Sequence, residues 1–474
     1  MKNRFREAGF LAVVLFLSGA LVTGLFATNG TYMTAYGARE AGMGGATLAV
    51  GNGVMDLEAN PGNLSRLDRA VAEIGIGLLM PRLDYQDAFY DADPYLAYSN
   101  HRGGAANIFP VPYAGYVSPV GDRLGWGVAM YGQGGMGADF EGIRRPLNDP
   151  GYAPISLNQK LNSNIQGFGD TKRITENTYS FLAIGQVTPG VAYSFGDLHV
   201  GIAADFIYSK LEFRYTFSDP TGSLELPGAG YRYKSDNAYA FSGKIGLAYD
   251  INENISVAYA YKAKSRLYYN GDMSVNAGSA DWTYWQPAQT SMYLDFPEKH
   301  SAGIAFRFDA WTIGIDIDYI KWGSAFRTVD FNLDRTIVTT PVGNNIDNLS
   351  FNVYWHDQKV YAIGVEYKPD GIAYRFGYNY GRSTVREQGV NPIFPAISEH
   401  HVFVGFGFGD EDTEFDFALE YSPKSREAGS QTNDWTILHS LFGVSNINNI
   451  KTPYFQHSTT MYQITPHIGV KIKF

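Results

Sequence analysis

Hydrophobic and polar residues alternate along most of the chain after residue 70. In one stretch the apolar parity carries Trp311, Ile313, Ile315, Ile317 and Tyr319, and the polar parity carries Thr312, Gly314, Asp316 and Asp318. Successive side chains of a strand point to opposite faces, so each such stretch predicts a strand with one apolar and one polar face. Helical spacing does not produce this pattern. The sequence therefore predicts an all-β fold.

We predict fourteen strands from this alternation, with connections that are short and long in turn. The strands cover residues 70–86, 109–119, 124–133, 175–195, 198–216, 233–249, 255–269, 290–308, 311–332, 351–367, 372–384, 398–409, 413–423 and 458–474. Six connections are short turns rich in Gly and Asp, and seven are long. An even strand number with tight turns at one end and long loops at the other is typical of a bacterial outer-membrane barrel. Residues 70–474 are therefore predicted to form a fourteen-stranded antiparallel transmembrane β-barrel, closed so that no backbone edge meets lipid.

Both ends of the chain carry signals that agree with this location. Lys2, Arg4 and Arg6 precede an apolar run that ends at Phe26, which predicts a secretory signal peptide over residues 1–27. The alternative, a permanent membrane anchor, stays open because the run is near the lower length limit for spanning. At the other end, Phe474 lies on the apolar parity of the last strand and is predicted to be the signal read by the barrel-assembly machinery. We expect the mature chain in the Gram-negative outer membrane, in contact with its lipid.

Residues 28–69 do not alternate as strands do. The segment combines small residues with a turn signal that follows an acidic stretch, and the residues concerned are Gly42, Gly44, Gly45, Asn60, Pro61 and Gly62. Pro61 is expected to end one short helix. A periplasmic tail would be more polar and repetitive in composition. We therefore predict that residues 28–69 form a compact hatch, or plug, inside the barrel.

Composition and charge narrow the possible functions. The 474 residues include 53 Gly, are 15% aromatic and carry a net charge of −10, so the whole chain has no basic footprint for nucleic acid. There is no cysteine and none of the common catalytic motifs, and the nine histidines are scattered. No enzymatic activity, cofactor or metal ion is expected.

Four glycines fall within six residues at the end of the third predicted strand. They are Gly132, Gly134, Gly135 and Gly137. Glycine weakens pairing and marks bends, so we predict a kink that opens the barrel wall between the lumen and lipid. The alternative, that these glycines only ease a loop, stays open. The spacing also matches a dinucleotide-binding fingerprint, but no helical pattern follows it.

Two functions fit a plugged barrel. The first is passive uptake of apolar or amphipathic molecules, with Phe213, Ile320 and Phe403 on the inward parity as candidate lining residues. Arg214, Lys262 and Arg375 are candidate partners for a carboxylate and are not ranked. The second is a general water-filled porin or a structural barrel. Negligible conductance would distinguish a plugged transporter from a porin.

Several segments resemble the FadL family of outer-membrane transporters for long-chain fatty acids and aromatic hydrocarbons. The resembling segments are 29–30, 36–39, 42–46, 60–62, 296–303, 318–322, 375–379 and 395–401. The resemblance covers essentially the whole mature chain, although Gly62 stands where the family commonly has alanine. It implies a fourteen-stranded barrel with an N-terminal hatch. It also implies diffusion of hydrophobic molecules from an outer groove to an inner pocket and then sideways at a kinked third strand.

Overall fold

The computed structural model describes most of the chain beyond the predicted signal peptide. The described residues are 29–51, 53–89, 98–105, 107–146, 173–219, 221–222, 225–276, 285–339, 344–369, 371–385, 387–390, 392–429 and 455–474. The predicted signal peptide of residues 1–27 lies outside them. The described residues form an all-β structure, in agreement with the alternation of the sequence.

The described strands all belong to one antiparallel sheet. They are β1 (Val71–Phe89), β2 (Tyr98–Gly103), β3 (Phe109–Val120), β4 (Leu124–Pro146), β5 (Arg173–Phe195), β6 (Leu198–Ser218), β7 (Glu225–Ser235), β8 (Ala238–Asp250), β9 (Ile255–Lys262), β10 (Ser265–Asn276), β11 (Trp285–Phe296), β12 (Lys299–Phe308), β13 (Trp311–Ile320), β14 (Thr328–Thr339), β15 (Asn344–Asn352), β16 (Gln358–Tyr367), β17 (Ile372–Gly381), β18 (His400–Gly409), β19 (Thr413–Gly429) and β20 (Phe455–Lys473). The helices are α1 (Ala38–Gly42), α2 (Asp56–Ala59) and α3 (Trp322–Ala325), with 3₁₀ turns η1 (Pro61–Arg66) and η2 (Glu387–Gly389). Among the described helices, none has the length and apolar character needed to cross a membrane.

Fourteen of these strands pair in a closed ring. Around the barrel the order is β1, β3, β4, β5, β6, β8, β9, β12, β13, β16, β17, β18, β19, β20 and back to β1, and every pair is antiparallel. The closing pair joins the first strand to the last, with Val71 opposite Lys473. The next residue, Phe474, donates its backbone N–H to the carbonyl of Ala70 at 2.9 Å. The predicted fourteen-stranded closed barrel is therefore confirmed.

Five of the predicted strands are each divided into two. The predicted strands 233–249, 255–269 and 290–308 are each broken by two residues, at 236–237, 263–264 and 297–298. The predicted strands 311–332 and 351–367 have longer breaks, the first of which contains α3. The strands that these breaks separate from the fourteen-stranded ring pair mainly with one another, as β10 does with β7 and β11. A break of two residues leaves the inward and outward positions in the same alternation on both sides of it. The sequence pattern therefore did not reveal these breaks.

The two faces of the barrel differ as the alternation predicted. Ile315 and Ile317 are exposed on the outer face of β13, and Asp316 between them is buried on the inner face. Strand β6 shows the same strict alternation over most of its length. Large apolar side chains thus cover the outside, where a lipid bilayer would meet them, and polar groups face the lumen.

Candidate functional site

Residues 29–69, called the N-terminal segment below, lie against the inner face of the barrel. Helix α1 packs on β17 to β20, while the turn η1 packs on β3 to β6 and on β8. Nearly all described residues of the segment are buried. The segment therefore lies inside the barrel and contacts opposite sides of its wall.

Two glycines of the N-terminal segment allow a close approach to the wall and a tight turn. Gly44 has φ +63° and Gly45 has φ +80°, a conformation that favours glycine. A Cβ atom on Gly44 would overlap the backbone of Gly377 and Tyr378 on β17. The predicted hatch residue Gly42 also lies against the wall, where its Cβ would be 3.0 Å from Cδ of Arg375.

The Asn60-Pro61-Gly62 sequence forms the turn that was predicted from it. Asn60 Oδ1 accepts a hydrogen bond from the backbone N–H of Gly62 at 3.0 Å, which caps η1. Its Nδ2 donates to the carbonyl of Leu247 on β8 at 3.0 Å and to that of Leu48 at 3.1 Å. Helix α2 ends just before Pro61, as expected. The turn thus fastens the N-terminal segment to the wall.

The barrel wall also has glycines where the N-terminal segment contacts it. These residues were not among those predicted from the sequence. A Cβ atom at each would overlap backbone or side-chain atoms of the segment, and the residues are Gly125, Gly201, Gly246, Gly314, Gly364 and Gly377. All six are buried on the inner face of their strands. Each of these glycines occupies an inward-facing position of its strand. A glycine at such a position leaves room for a second backbone, so the pattern could have predicted these contacts.

Buried ion pairs join the N-terminal segment to one side of the wall. Arg375 on β17 donates to Glu366 at 2.5 Å, to Asp416 at 2.6 Å and to Glu414 at 3.1 Å. Arg39 of α1 pairs with the same Glu366 at 3.1 Å. Arg375 was a candidate for binding a substrate carboxylate, but its guanidinium already has three carboxylate partners.

A second ion cluster lies on the opposite side. Glu58 of α2 accepts a hydrogen bond from Lys244 on β8, and Lys262 and Lys299 lie 3.8 and 3.9 Å from its carboxylate. Asp205 on β6 is 3.3 Å from Lys244. The candidate Lys262 therefore also lies within a carboxylate cluster.

The third candidate cation, Arg214, lies elsewhere. Its side chain is exposed and lies 4.4 Å from the ring centroid of Tyr179. Among Arg214, Lys262 and Arg375, none lines the apolar cavity described next.

An apolar cavity lies between β5, β6, β11 and β14, and no polar atom is exposed on its surface. It surrounds about 410 Å³ of space between atoms, part of it open to solvent. Phe213, a predicted lining residue, is one of its walls; the others are Leu182, Leu211, Tyr215, Met292, Leu294, Phe326, Val329, Phe331, Ile393 and Phe394. Such a concave apolar surface is suited to hydrophobic molecules.

The other two predicted lining residues lie in different places. Ile320 lines a second cavity, which surrounds about 520 Å³ of space between atoms, part of it open to solvent, and whose remaining walls come mostly from the N-terminal segment. Phe403 is buried against Ala35 and Ala41 of that segment and Ala418 of β19. The structure therefore does not bring Phe213, Ile320 and Phe403 into one pocket.

The glycine-rich part of β4 lies where one of its two neighbours leaves it. Pairing of β4 with β3 ends at Tyr131 opposite Tyr113, and the first residues of β3 pair with β1 alone. Pairing with β5 continues to Pro146, with a register shift between Gly132 and Gly134. The sequence predicted an end of this strand at residue 133 and a local gap in its ladder. The strand continues to Pro146 in pairing with β5, whereas its edge toward β3 has no β3 partner beyond Tyr131.

The N-terminal segment occupies this unpaired edge. Tyr32 forms a β-bridge with Gly134, and the backbone N–H of Gly135 donates to the carbonyl of Thr31 at 3.1 Å. A Cβ atom on Gly134 would overlap that carbonyl oxygen. The glycine therefore lets the start of the N-terminal segment lie directly on β4.

The closed ring, its apolar outer face and the segment buried inside it define the class of outer-membrane β-barrel channels. Residues 175–447, more than half of the chain, match the family model described as "Outer membrane protein transport protein (OMPP1/FadL/TodX)". The chain belongs to this family of outer-membrane transport proteins, and it is a channel and not an enzyme. The resemblance seen in the sequence is thereby confirmed.

Curated relatives and solved structures agree with this assignment. The chain is 20% identical over 344 residues to a long-chain fatty acid transport protein of Shigella flexneri, which covers 68% of this chain and 72% of that protein. The corresponding Escherichia coli K12 protein is 19% identical over 340 residues, with the same coverage. The fold is similar to that of the Pseudomonas putida toluene transporter TodX, with TM-score 0.65, 17% identity and coverage of 93% and 99%. It is also similar to that of a Pseudomonas aeruginosa FadL homologue, with TM-score 0.65, 14% identity and coverage of 94% and 100%.

Proposed function

We propose that the chain carries hydrophobic small molecules passively across the outer membrane. The observation that carries this proposal is the cavity around Phe213, which exposes no polar atom to its contents. Each CH₂ group that leaves water for such a surface gains about 0.8 kcal/mol, so the surface of this cavity favours apolar molecules over charged ones. The names of the relatives, a fatty acid transport protein and a toluene transporter, support the same class of substrate.

The exit that we propose is sideways, through the wall between β3 and β4. The support is the edge of β4 beyond Tyr131, which has no β3 partner. Thr31 and Tyr32 cover this edge at Gly134 and Gly135, and residues 100–105 contact it from Asp139 onward. A movement of these two residues would connect the lumen to lipid. A hydrophobic molecule leaving there would never need to cross water.

We also propose how the chain is exported and assembled. Residues 1–27 act as a signal peptide and are removed, residues 28–69 act as the hatch, and residues 70–474 form the barrel. The barrel-assembly machinery recognises the last strand with Phe474, and outer-membrane lipid surrounds the apolar face.

We expect the purified protein to conduct almost no ions in planar bilayers while promoting uptake of hydrophobic molecules by cells. The N-terminal segment contacts opposite sides of the lumen and is held there by buried ion pairs, so it should leave no continuous water path through the barrel. The measurement is single-channel conductance, combined with uptake of radiolabelled toluene by a Gram-negative host without its own hydrophobic-substrate channels. Steady conductance without toluene uptake would instead establish the porin alternative.

The lateral route predicts that a cross-link between β3 and β4 stops uptake. Val111 and Gln133 each lie two residues beyond the last paired residues, Tyr113 and Tyr131. The chain has no cysteine, so Val111→Cys with Gln133→Cys introduces the only reactive pair. Treatment with a bismaleimide should reduce toluene uptake to the level of cells without the channel.

A matched pair on the same two strands provides the control. Ser118 and Trp126 face outward and lie opposite each other where β3 and β4 are already paired. Cross-linking Ser118→Cys with Trp126→Cys should leave uptake unchanged. If the Val111 and Gln133 pair is fully cross-linked and uptake persists, the molecules leave by another route.

A further inference from the structure

We propose that the substrate of this channel is an uncharged hydrocarbon and that ionised fatty acids are excluded. The inference rests on the proposed function and names the chemical class of its substrate. It follows from where the positive charges of the lumen lie and what they already contact.

The apolar cavity offers only rings and aliphatic groups. Phe213 and Phe331 meet edge to face with ring centroids 5.0 Å apart, and Phe326 and Phe394 meet in the same way at 6.1 Å. No Lys, Arg or His is among the described residues that line the cavity. The cavity therefore has no counter-charge for a carboxylate, and an unpaired carboxylate is strongly disfavoured on an apolar surface.

Four buried cations of the lumen, Arg39, Lys244, Lys262 and Arg375, are already paired with carboxylates of the protein. Arg39 and Arg375 share Glu366, while Lys244 and Lys262 contact Glu58 and Asp205. These carboxylates hold the N-terminal segment to the wall. A fatty acid that took one of the cations would leave a buried carboxylate of the protein without its partner, which is costly.

The second cavity, next to the N-terminal segment, also disfavours an anion. Glu40, Glu58 and Asp318 line it together with a single cation, Lys299. Burial, with a contribution from Glu73, raises the pKa of Glu40 to about 8, so Glu40 is mostly protonated at neutral pH. Lys299 lies 3.9 Å from Glu58, which Lys244 and Lys262 also contact, so the ammonium groups beside this cavity already face carboxylates of the protein. A neutral hydrocarbon meets neither difficulty.

The test compares ligands that differ only in the carboxylate. The purified full-length protein in nanodiscs is titrated at pH 7 with toluene and benzoate, and with decane and decanoate. Empty nanodiscs provide the correction for partition into lipid. We expect each hydrocarbon to bind at least about tenfold more tightly than its carboxylate. Equal binding within both pairs would overturn this inference and leave the proposed function standing.

Introducing a cation into the apolar cavity should reverse the preference. Leu294 on β11 and Leu211 on β6 line the cavity from different strands. Leu294→Arg, and separately Leu211→Lys, should bind benzoate more tightly and toluene more weakly than the unaltered protein. Two variants are used because one of them alone could fail to fold, which the heat-modifiable mobility of the barrel in gel electrophoresis reveals.

A control variant adds the same charge elsewhere. Asn348 is exposed on β15 and does not line the cavity, so Asn348→Arg should leave both affinities unchanged. If folded Leu294→Arg and Leu211→Lys both fail to gain benzoate binding, cavity charge does not set specificity and the inference is wrong. If no hydrocarbon binds and the unaltered protein conducts ions steadily, the proposed function itself fails.

Discussion

The Gly364→Val variant is expected to change a closed channel into one that conducts ions. Gly364 faces the lumen on β16, and even a Cβ atom there would overlap the carbonyl of Met43 at the end of α1. A valine side chain would therefore force α1 away from the wall and open a path for water. Single-channel recordings should show steady openings that the unaltered protein lacks. Gly314→Val, which would meet the carbonyl of Ala46, should have the same effect.

The control for this experiment is another wall glycine of the barrel. Gly243 lies on β8, and its nearest neighbour beyond the adjoining residues, the carbonyl of Ala203, is 3.8 Å from a Cβ atom placed there. Gly243→Val should assemble and remain closed. If Gly364→Val and Gly314→Val both assemble and also remain closed, the N-terminal segment is not what blocks the lumen.

The Arg375→Met variant should lose about 3–5 kcal/mol of stability. The substitution leaves Glu366, Glu414 and Asp416 without the guanidinium that lies 2.5 to 3.1 Å from them. All of these side chains are buried, so water cannot replace the lost hydrogen bonds. Urea unfolding in lipid vesicles, followed by tryptophan fluorescence, should show a clearly lower midpoint.

Lys368→Met is the matched control, because Lys368 contacts the same Glu414 at 2.9 Å. Its side chain is 39% exposed, so solvent screens the pair and removal should cost at most about 1 kcal/mol. Equal losses for Lys368→Met and Arg375→Met would mean that burial does not determine the strength of this cluster.

The barrel was predictable from the sequence because lipid and lumen impose a period of two on every strand. The alternation of apolar and polar residues correctly predicted that Ile315 faces outward and Asp316 faces inward. It did not reveal the breaks at 236–237, 263–264 and 297–298, which remove two residues each and preserve parity. Strand number and faces therefore follow from local pattern, whereas interruptions of the ladder depend on pairing between distant segments.

The alternation also does not predict where along the barrel axis an inward-facing residue lies. Phe213 and Phe403 share the inward parity, but only Phe213 lines the apolar cavity, and Phe403 packs on the N-terminal segment. The same limit applies to the cations. Arg375 looked available to a substrate because its partners Glu414 and Asp416 come some forty residues later, on another strand.

The depth at which the N-terminal segment is buried has a consequence for biogenesis. This segment precedes every strand in the chain, but Thr34 bonds to Glu420 and Arg39 to Glu366, which are 386 and 327 positions further along the chain. Its docking surface exists only once β20 has closed on β1. Contacts that span almost the whole polypeptide form slowly. Docking of the N-terminal segment is therefore expected to be among the last steps of folding.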